Sequence, residues 1–120
     1  MKNSQSLSVS DVMLKPDNFP VIDECVILKD ALEEMGKWNL GISCIINSSN
    51  HLLGVLTDGD IRRRLLHVQK PLSQLFVDDA LNHAMHSPVT IMPNLSLDDA
   101  VRLMEDKKVW DLPVTDTNNQ

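Results

Sequence analysis

Apolar residues recur along the chain in a few distinct rhythms. Leu28, Ala31, Leu32 and Met35 fall at i, i+3, i+4 and i+7, the spacing that lays one stripe along a helix of 3.6 residues per turn. The spacing predicts an amphipathic helix with one buried face. Two brief apolar runs follow, SCIIN and HLLGVLT, separated by Asn47-Ser48-Ser49-Asn50, a composition that suits a tight turn. They predict a β-hairpin. From near Val9 the whole pattern reads short helix, strand, helix, strand, strand, helix. Residues 1–8 (MKNSQSLS) are polar and without period, which predicts a flexible leader.

The helical stripe then returns. Leu97, Ala100, Val101 and Met104 repeat it 69 residues later, with Ile22 matching Ile91 and Ile45 matching Val114. Setting 22–50 against 91–119 gives six identities (Ile22, Leu28, Asp30, Ala31, Met35 and Asn50), and the shared apolar spacing makes two half-units of one design the natural reading. Upstream, Asp11-Val12-Met13 aligns with His83-Ala84-Met85 at an offset of 72, as if the loop near Lys15-Pro16-Asp17-Asn18 carried three extra residues. The expected units are 9–68 and 80–120, joined by a linker at 69–79. A counterpart of Gly54 falls near position 123, past Gln120, so the second unit is expected to be incomplete and the chain a fragment of a longer protein.

Composition narrows the function. A chain of 120 residues suits one compact domain and is small for an enzyme that binds two substrates. Its formal net charge of −6 repels polyanions, which argues against a nucleic-acid partner. No apolar run approaches the roughly 18 residues of a membrane span. Cys25 and Cys44 both stand in apolar settings without a signal-peptide pattern before them, so buried thiols in a reducing cytoplasm are expected.

The densest polar chemistry lies in GVLTDGDIRRRLL, Gly54 to Leu66, where an apolar run meets a basic helical run. One reading of Thr57-Asp58-Gly59-Asp60 is a capping box, with Thr57 accepting from the amide of Asp60 and Asp60 reaching back to the amide of Thr57. Ser96-Leu97-Asp98-Asp99 has the same spacing, and on spacing alone the cap is favoured. The other reading is a ligand site. Gly59 leaves amides bare at a helix N-terminus, a receptor for phosphate, and a carboxylate there suits two ribose hydroxyls. Of Arg62, Arg63 and Arg64, spread over most of a helical turn, at least one is expected to point back to the hinge.

The duplicated unit closed by Gly-h-h-Thr-x-x-Asp, where h is apolar, resembles a tandem pair of cystathionine-beta-synthase (CBS) domains, the Bateman module, over Val9 to Gln120. The resemblance implies a mixed α/β fold of two β-α-β-β-α half-units packed sheet to sheet, the second truncated. It also implies that Thr57 and Asp60 contact the phosphate and ribose of an adenine nucleotide or related ligand, with Asp58, Gly59 and Arg63 beside them. VSDVM, FPVI, LKDALEEM, LGISCII and GVLTDGDIRR are similar to the CBS pair that follows the sugar-isomerase domain in bacterial arabinose-5-phosphate isomerases. Sugar-phosphate nucleotidyltransferases with a CBS pair share TDGDIRR and are the alternative parent. The implied role is regulation and dimerisation as a homodimer, with no catalytic residue, no required cofactor and a nucleotide or nucleotide-sugar such as CMP-Kdo as ligand. A purely structural dimerisation module is the alternative of another class.

Other chemistry is weaker. Asp58-x-Asp60 has the form of a metal-holding pair, but the chain is short for the transferase domain around it. His83-x-x-His86 lacks a third ligand and is expected to face solvent. The cysteines lack a His-Asp arrangement for nucleophilic work. Trp38 and Trp110, each at a helix-to-strand junction, are expected in packing or a dimer contact.

Overall fold

In a computed structural model the chain is described over residues 7–67, 71–109 and 111–120. Residues 1–6 of the expected leader, 69–70 of the expected linker and Trp110 lie outside the described residues. Helix α1 spans Val9–Val12, β1 Val21–Asp23, α2 Leu28–Trp38, β2 Ile42–Ile46, β3 Leu52–Thr57, α3 Asp58–His67, α4 Leu72–Phe76, β4 Met85–His86 and α5 Leu97–Lys107. Single 3-10 turns occupy Pro16–Asn18 and Ala80–His83. Contacts divide the chain into two compact units, Lys15–Pro88 and a second formed by the residues up to Leu14 together with Val89–Gln120.

The larger unit holds a sheet in the order β1-β2-β3-β4, with β1 parallel to β2 and the other pairs antiparallel. The expected hairpin is β2–β3. Its turn is held by the Asn47 side chain, whose Oδ1 accepts from the amides of Ser49 and His51, while Asn50 takes a left-handed φ of 66°. Because successive strand residues face opposite ways, β2 and β3 supply two layers. Ile45 and Leu56 join Leu28, Ala31 and Met35 of α2 and Ile61 of α3 in the main core, while Cys44, Leu52 and Val55 cluster with Phe19 and Ile42. Ser43 pairs with Leu56 in this register, and its fully buried hydroxyl has no hydrogen-bond partner among the described residues. Gly54 eases the close approach of β4, because a Cβ there would lie 3.0 Å from the carbonyl oxygen of Met85. The stretch expected as linker contains α4, whose Leu75 is 2% exposed and belongs to the main core.

The smaller unit repeats the larger at the offset of 69 read from the sequence. Both long helices have 11 residues, and each ends in a left-handed residue, Asn39 (φ 55°) and Lys108 (φ 56°). Ile22 pairs in parallel with Ile45, and Ile91 makes an isolated parallel bridge to Val114. The Asp116 Oδ1 accepts from the amides of Asn118 and Gln120 as Asn47 does from its own turn. Its core is small: Val9, Ile91 and Ala100, with Leu95, Leu103, Leu112 and Val114 against them.

One expectation is corrected. The segment entering each long helix pairs with an arm from the other repeat: Leu97 donates its amide to the Leu7 carbonyl and Val9 to that of Leu95, while Leu28 donates to Asp78 and Ala80 to Val26. Leu28 and Leu97 are first helical residues, so the arm satisfies an amide that the helix itself leaves orphaned. Val9 therefore corresponds to Ala80, an offset of 80 − 9 = 71 and not 72.

Candidate ligand site at the start of α3

β3 ends at Thr57 and the chain turns directly into α3, a helix of 10 residues. Both bonds of the capping box form: Thr57 Oγ1 accepts from the Asp60 amide at 3.2 Å, and Asp60 Oδ2 accepts from the Thr57 amide at 3.3 Å. The other carboxylate oxygen, Oδ1, accepts from Arg63 Nη2 at 2.6 Å, and the Asp60 side chain is only 14% exposed. Arg63 is thus the arginine that points back, and its guanidinium lies over Gly59, where a Cβ would sit 3.4 Å from Nη1. Arg62 is exposed. The parallel box at Ser96 is half formed. Ser96 Oγ accepts from the Asp99 amide at 3.1 Å, but the Asp99 carboxylate pairs outward with Arg102 at 2.9 Å.

Asp58 does something the sequence did not suggest. Its amide donates to the Gly41 carbonyl at 3.0 Å, and its carboxylate packs so closely on Gly41 that a Cβ there would come within 2.5 Å of Oδ2. A side chain at 41 would have to displace that carboxylate. Asp58 and Gly41 form one wall of a cavity of about 300 Å³, and Leu32, Met35 and Gly36 of α2 with Asn39 and Leu40 form the rest. The signal for this wall is the glycine in Asn39-Leu40-Gly41-Ile42, which neither strand nor helix periodicity explains.

Arg64 turns the other way. Its Nε donates to His83 Nδ1 at 3.0 Å and its Nη2 to the Asn82 carbonyl at 3.3 Å, while His83 Nε2 lies 2.9 Å from Asp78 Oδ2. Since a guanidinium only donates, Nδ1 must accept, which assigns the proton to Nε2 and directs it at Asp78. His83 is therefore buried at 6% exposure, against the solvent-facing position expected from sequence, because Arg64 and Asp78 satisfy both ring nitrogens. His86 is exposed and reaches the Leu81 carbonyl, so the two histidines do not converge. Among the described residues no group of three or more His, Cys, Asp or Glu side chains is placed to hold a metal ion.

One of the two thiols also differs from expectation. Cys44 is buried, but Cys25 is exposed, because its amide donates to Asp23 Oδ1 at 2.8 Å in a turn that carries the side chain outward. The Asp23 charge, and then its hydrogen bond, push the Cys25 thiol above its ordinary pKa. Trp38 is half exposed at the end of α2, and among the described residues no helix is long and apolar enough to cross a membrane.

Comparison with known proteins gives this geometry a family. The CBS domain model matches residues 9–67 and 77–120. The arabinose 5-phosphate isomerase KdsD of Salmonella typhi is 30% identical over 110 residues, 92% of this chain but 32% of that protein, and the Escherichia coli K12 KdsD is 28% identical over the same length. The chain thus spans about a third of the curated relatives it matches along its length. Among solved structures, CBSX2 in complex with AMP has a TM-score of 0.81 at 26% identity, covering 94% of this chain and 84% of that one. The CBS domain protein PAE2072 from Pyrobaculum aerophilum shares the fold at TM-score 0.76 and 18% identity, covering 94% of this chain and 82% of that one. With the duplicated sheet-and-helix unit, the Thr57–Asp60 box closing its first copy and a family match over both halves, the chain belongs to the CBS domain family.

Proposed function

We propose that the chain is a regulatory ligand-binding and dimerisation module of a cytoplasmic sugar-phosphate enzyme of the arabinose 5-phosphate isomerase kind, without catalysis of its own. The observation that carries this reading is the 30% identity to KdsD along 92% of the chain, set in only 32% of that protein. A ligand held at Thr57, Asp58, Gly59, Asp60 and Arg63 favours one arrangement of the module and so biases an attached enzyme domain. The AMP complex of CBSX2 supports an adenine nucleotide as the ligand class. For an isomerase feeding a lipopolysaccharide sugar, an activated sugar such as CMP-Kdo is the corresponding feedback ligand. The three donors already on the Asp60 carboxylate and Thr57 hydroxyl favour a second reading, in which the hinge is only a cap and the module only dimerises.

Titration calorimetry beside thermal melts separates the two. In the ligand reading Asp60→Asn removes a charged acceptor for ribose hydroxyls, so affinity for adenine or cytidine nucleotides falls at least about tenfold, since charge-assisted bonds contribute roughly 1.5–3 kcal/mol. Thr57→Ala weakens binding as well. Ser96→Ala lowers stability by about 1 kcal/mol and leaves binding alone. A wild-type chain that binds and an Asp60→Asn variant that binds equally well would sink the site assignment.

A further inference from the structure

We propose that Arg64, His83 and Asp78 form a proton-operated latch on α3: uptake of one proton by His83 expels Arg64 and frees the last turn of the helix from the segment that leads out of the larger unit. The latch needs no ligand and stands whether or not the hinge binds one. Its frame is a chain of hydrogen bonds through a buried ring. Arg64 Nε donates to His83 Nδ1 at 3.0 Å, Arg64 Nη2 donates to the Asn82 carbonyl at 3.3 Å, and His83 Nε2 donates to Asp78 Oδ2 at 2.9 Å. Asp78 is itself tied into the fold, since its carbonyl accepts from the amide of Leu28, the first residue of α2. Ile61 is the buried residue of α3, and every residue from Arg62 to His67 is exposed, so the two bonds of Arg64 carry much of what holds the second half of the helix to its neighbours.

A guanidinium only donates, so the contact exists only while Nδ1 keeps its lone pair. When a solvent proton occupies that lone pair, two N–H groups and two positive charges face each other across the same 3.0 Å, and the hydrogen bond is lost. The two partners respond unequally. The His83 side chain is 3% exposed and keeps its bond to Asp78 in both states. Arg64 is otherwise exposed, so its guanidinium moves into water at little cost, and the position it vacates admits a water to accept from Nδ1. The remaining charges near the ring are engaged elsewhere or exposed. On α3, Arg63 pairs with Asp60, while Arg62 and His67 are exposed. The first turn of α2, which packs on the turn carrying His83, has Lys29 paired with Glu33 and an exposed Asp30. β3 has no ionisable side chain between Leu52 and Thr57, and Asp79 and His86, flanking the turn, are exposed. The contribution of Arg64 to stability is therefore present while the ring is neutral and lost as pH falls through its titration, because the unfolded chain then binds a proton that the latched state excludes. An imidazole ordinarily makes this change between about pH 5 and 8.

The test uses the full 120-residue chain without ligand, melted at about pH 8 and about pH 5. Arg64→Ala should lower the melting midpoint by about 4 °C or more at the higher pH and by about 1 °C or less at the lower. Each comparison is made within one pH, so the titration of His51, His67 and His86 cancels. His83→Gln offers an acceptor and a donor about as far apart as the ring nitrogens but takes up no proton, and in that background the loss from Arg64→Ala should be equal at the two pH values. Nitrogen NMR of the wild-type chain reads the latch directly and depends on no variant. In the neutral ring the proton of His83 sits on Nε2 and the Arg64 Nε–H exchanges slowly with solvent; in acid both ring nitrogens are protonated and that N–H exchanges as fast as the one on exposed Arg62. A loss from Arg64→Ala that is the same at both pH values, or absent at the higher one, overturns the inference. So does an Arg64 Nε–H that stays protected in acid, and so does a pH dependence that survives His83→Gln.

Discussion

Cys25 and Asp23 sit two residues apart in the loop before α2, and a single backbone hydrogen bond decides what the thiol can do. By turning its carboxylate to the Cys25 amide, Asp23 leaves the thiol in solvent and beside a negative charge. A raised thiol pKa means less thiolate at any given pH, so this exposed cysteine is a poor nucleophile near neutrality. Iodoacetamide should label it more slowly than a free cysteine at pH 8, the two rates converging as pH rises through the folded value. Asp23→Asn should speed labelling at pH 8, and mass spectrometry of the peptide reads it directly. Equal rates in the wild type and the variant would remove Asp23 as the cause.

At the scale of elements, α4 shows how a short helix is kept by packing. Five residues cannot sustain a helix alone. Leu75, 2% exposed in the main core with Ile22, Leu28 and Ala31, supplies the apolar contact that holds it. Leu75→Ala should therefore cost about 2–5 kcal/mol, the range for truncating a buried leucine, measured as a loss in urea midpoint without a change in slope. A cost below about 1 kcal/mol would mean that the segment is a linker in solution after all. The three box starts, Ser8, Thr57 and Ser96, show the same dependence on surroundings. Asp11 and Asp60 reach back to the amide of their cap, whereas Asp99 finds Arg102 instead.

For the molecule as a whole, the net charge of −6 and the apolar side chains left in solvent pull in opposite directions. In the unit Lys15–Pro88, Leu65 and Leu66 are 45% and 75% exposed side by side on α3, and Val77 is 63% exposed. Adjacent exposed leucines on a helix are an unfavourable surface for a monomer. We expect a homodimer, with Leu66→Lys shifting it toward monomer while the thermal melt stays within about 0.5 kcal/mol of wild type, as for an ordinary surface change. Sedimentation velocity at high micromolar concentration checks this. Only monomer there would count against dimerisation, and a dimer untouched by Leu66→Lys would place the contact elsewhere.

What the sequence determined by itself is everything governed by local period and by repetition. The stripe at Leu28–Met35, the helix at Leu97–Met104, the hairpin turn at Asn47–Asn50 and the repeat at an offset of 69 recur in the backbone down to matching left-handed residues, although Val101 of the second stripe is 48% exposed and Leu103 packs on the small core in its place. The capping bonds of Thr57 and Asp60 were readable for the same reason. Tertiary structure decided whatever needed a partner far along the chain. His83 is buried because Arg64, 19 residues earlier, turns toward it, and the arms at Leu7–Val9 and Asp78–Ala80 are set by free amides at the starts of distant helices. The cavity beside Asp58 exists because the start of α3 returns to the segment between α2 and β2, where the Asp58 amide donates to the Gly41 carbonyl and its carboxylate packs on the glycine. No periodicity encodes such a meeting, since it depends on where the sheet brings the strand ends together.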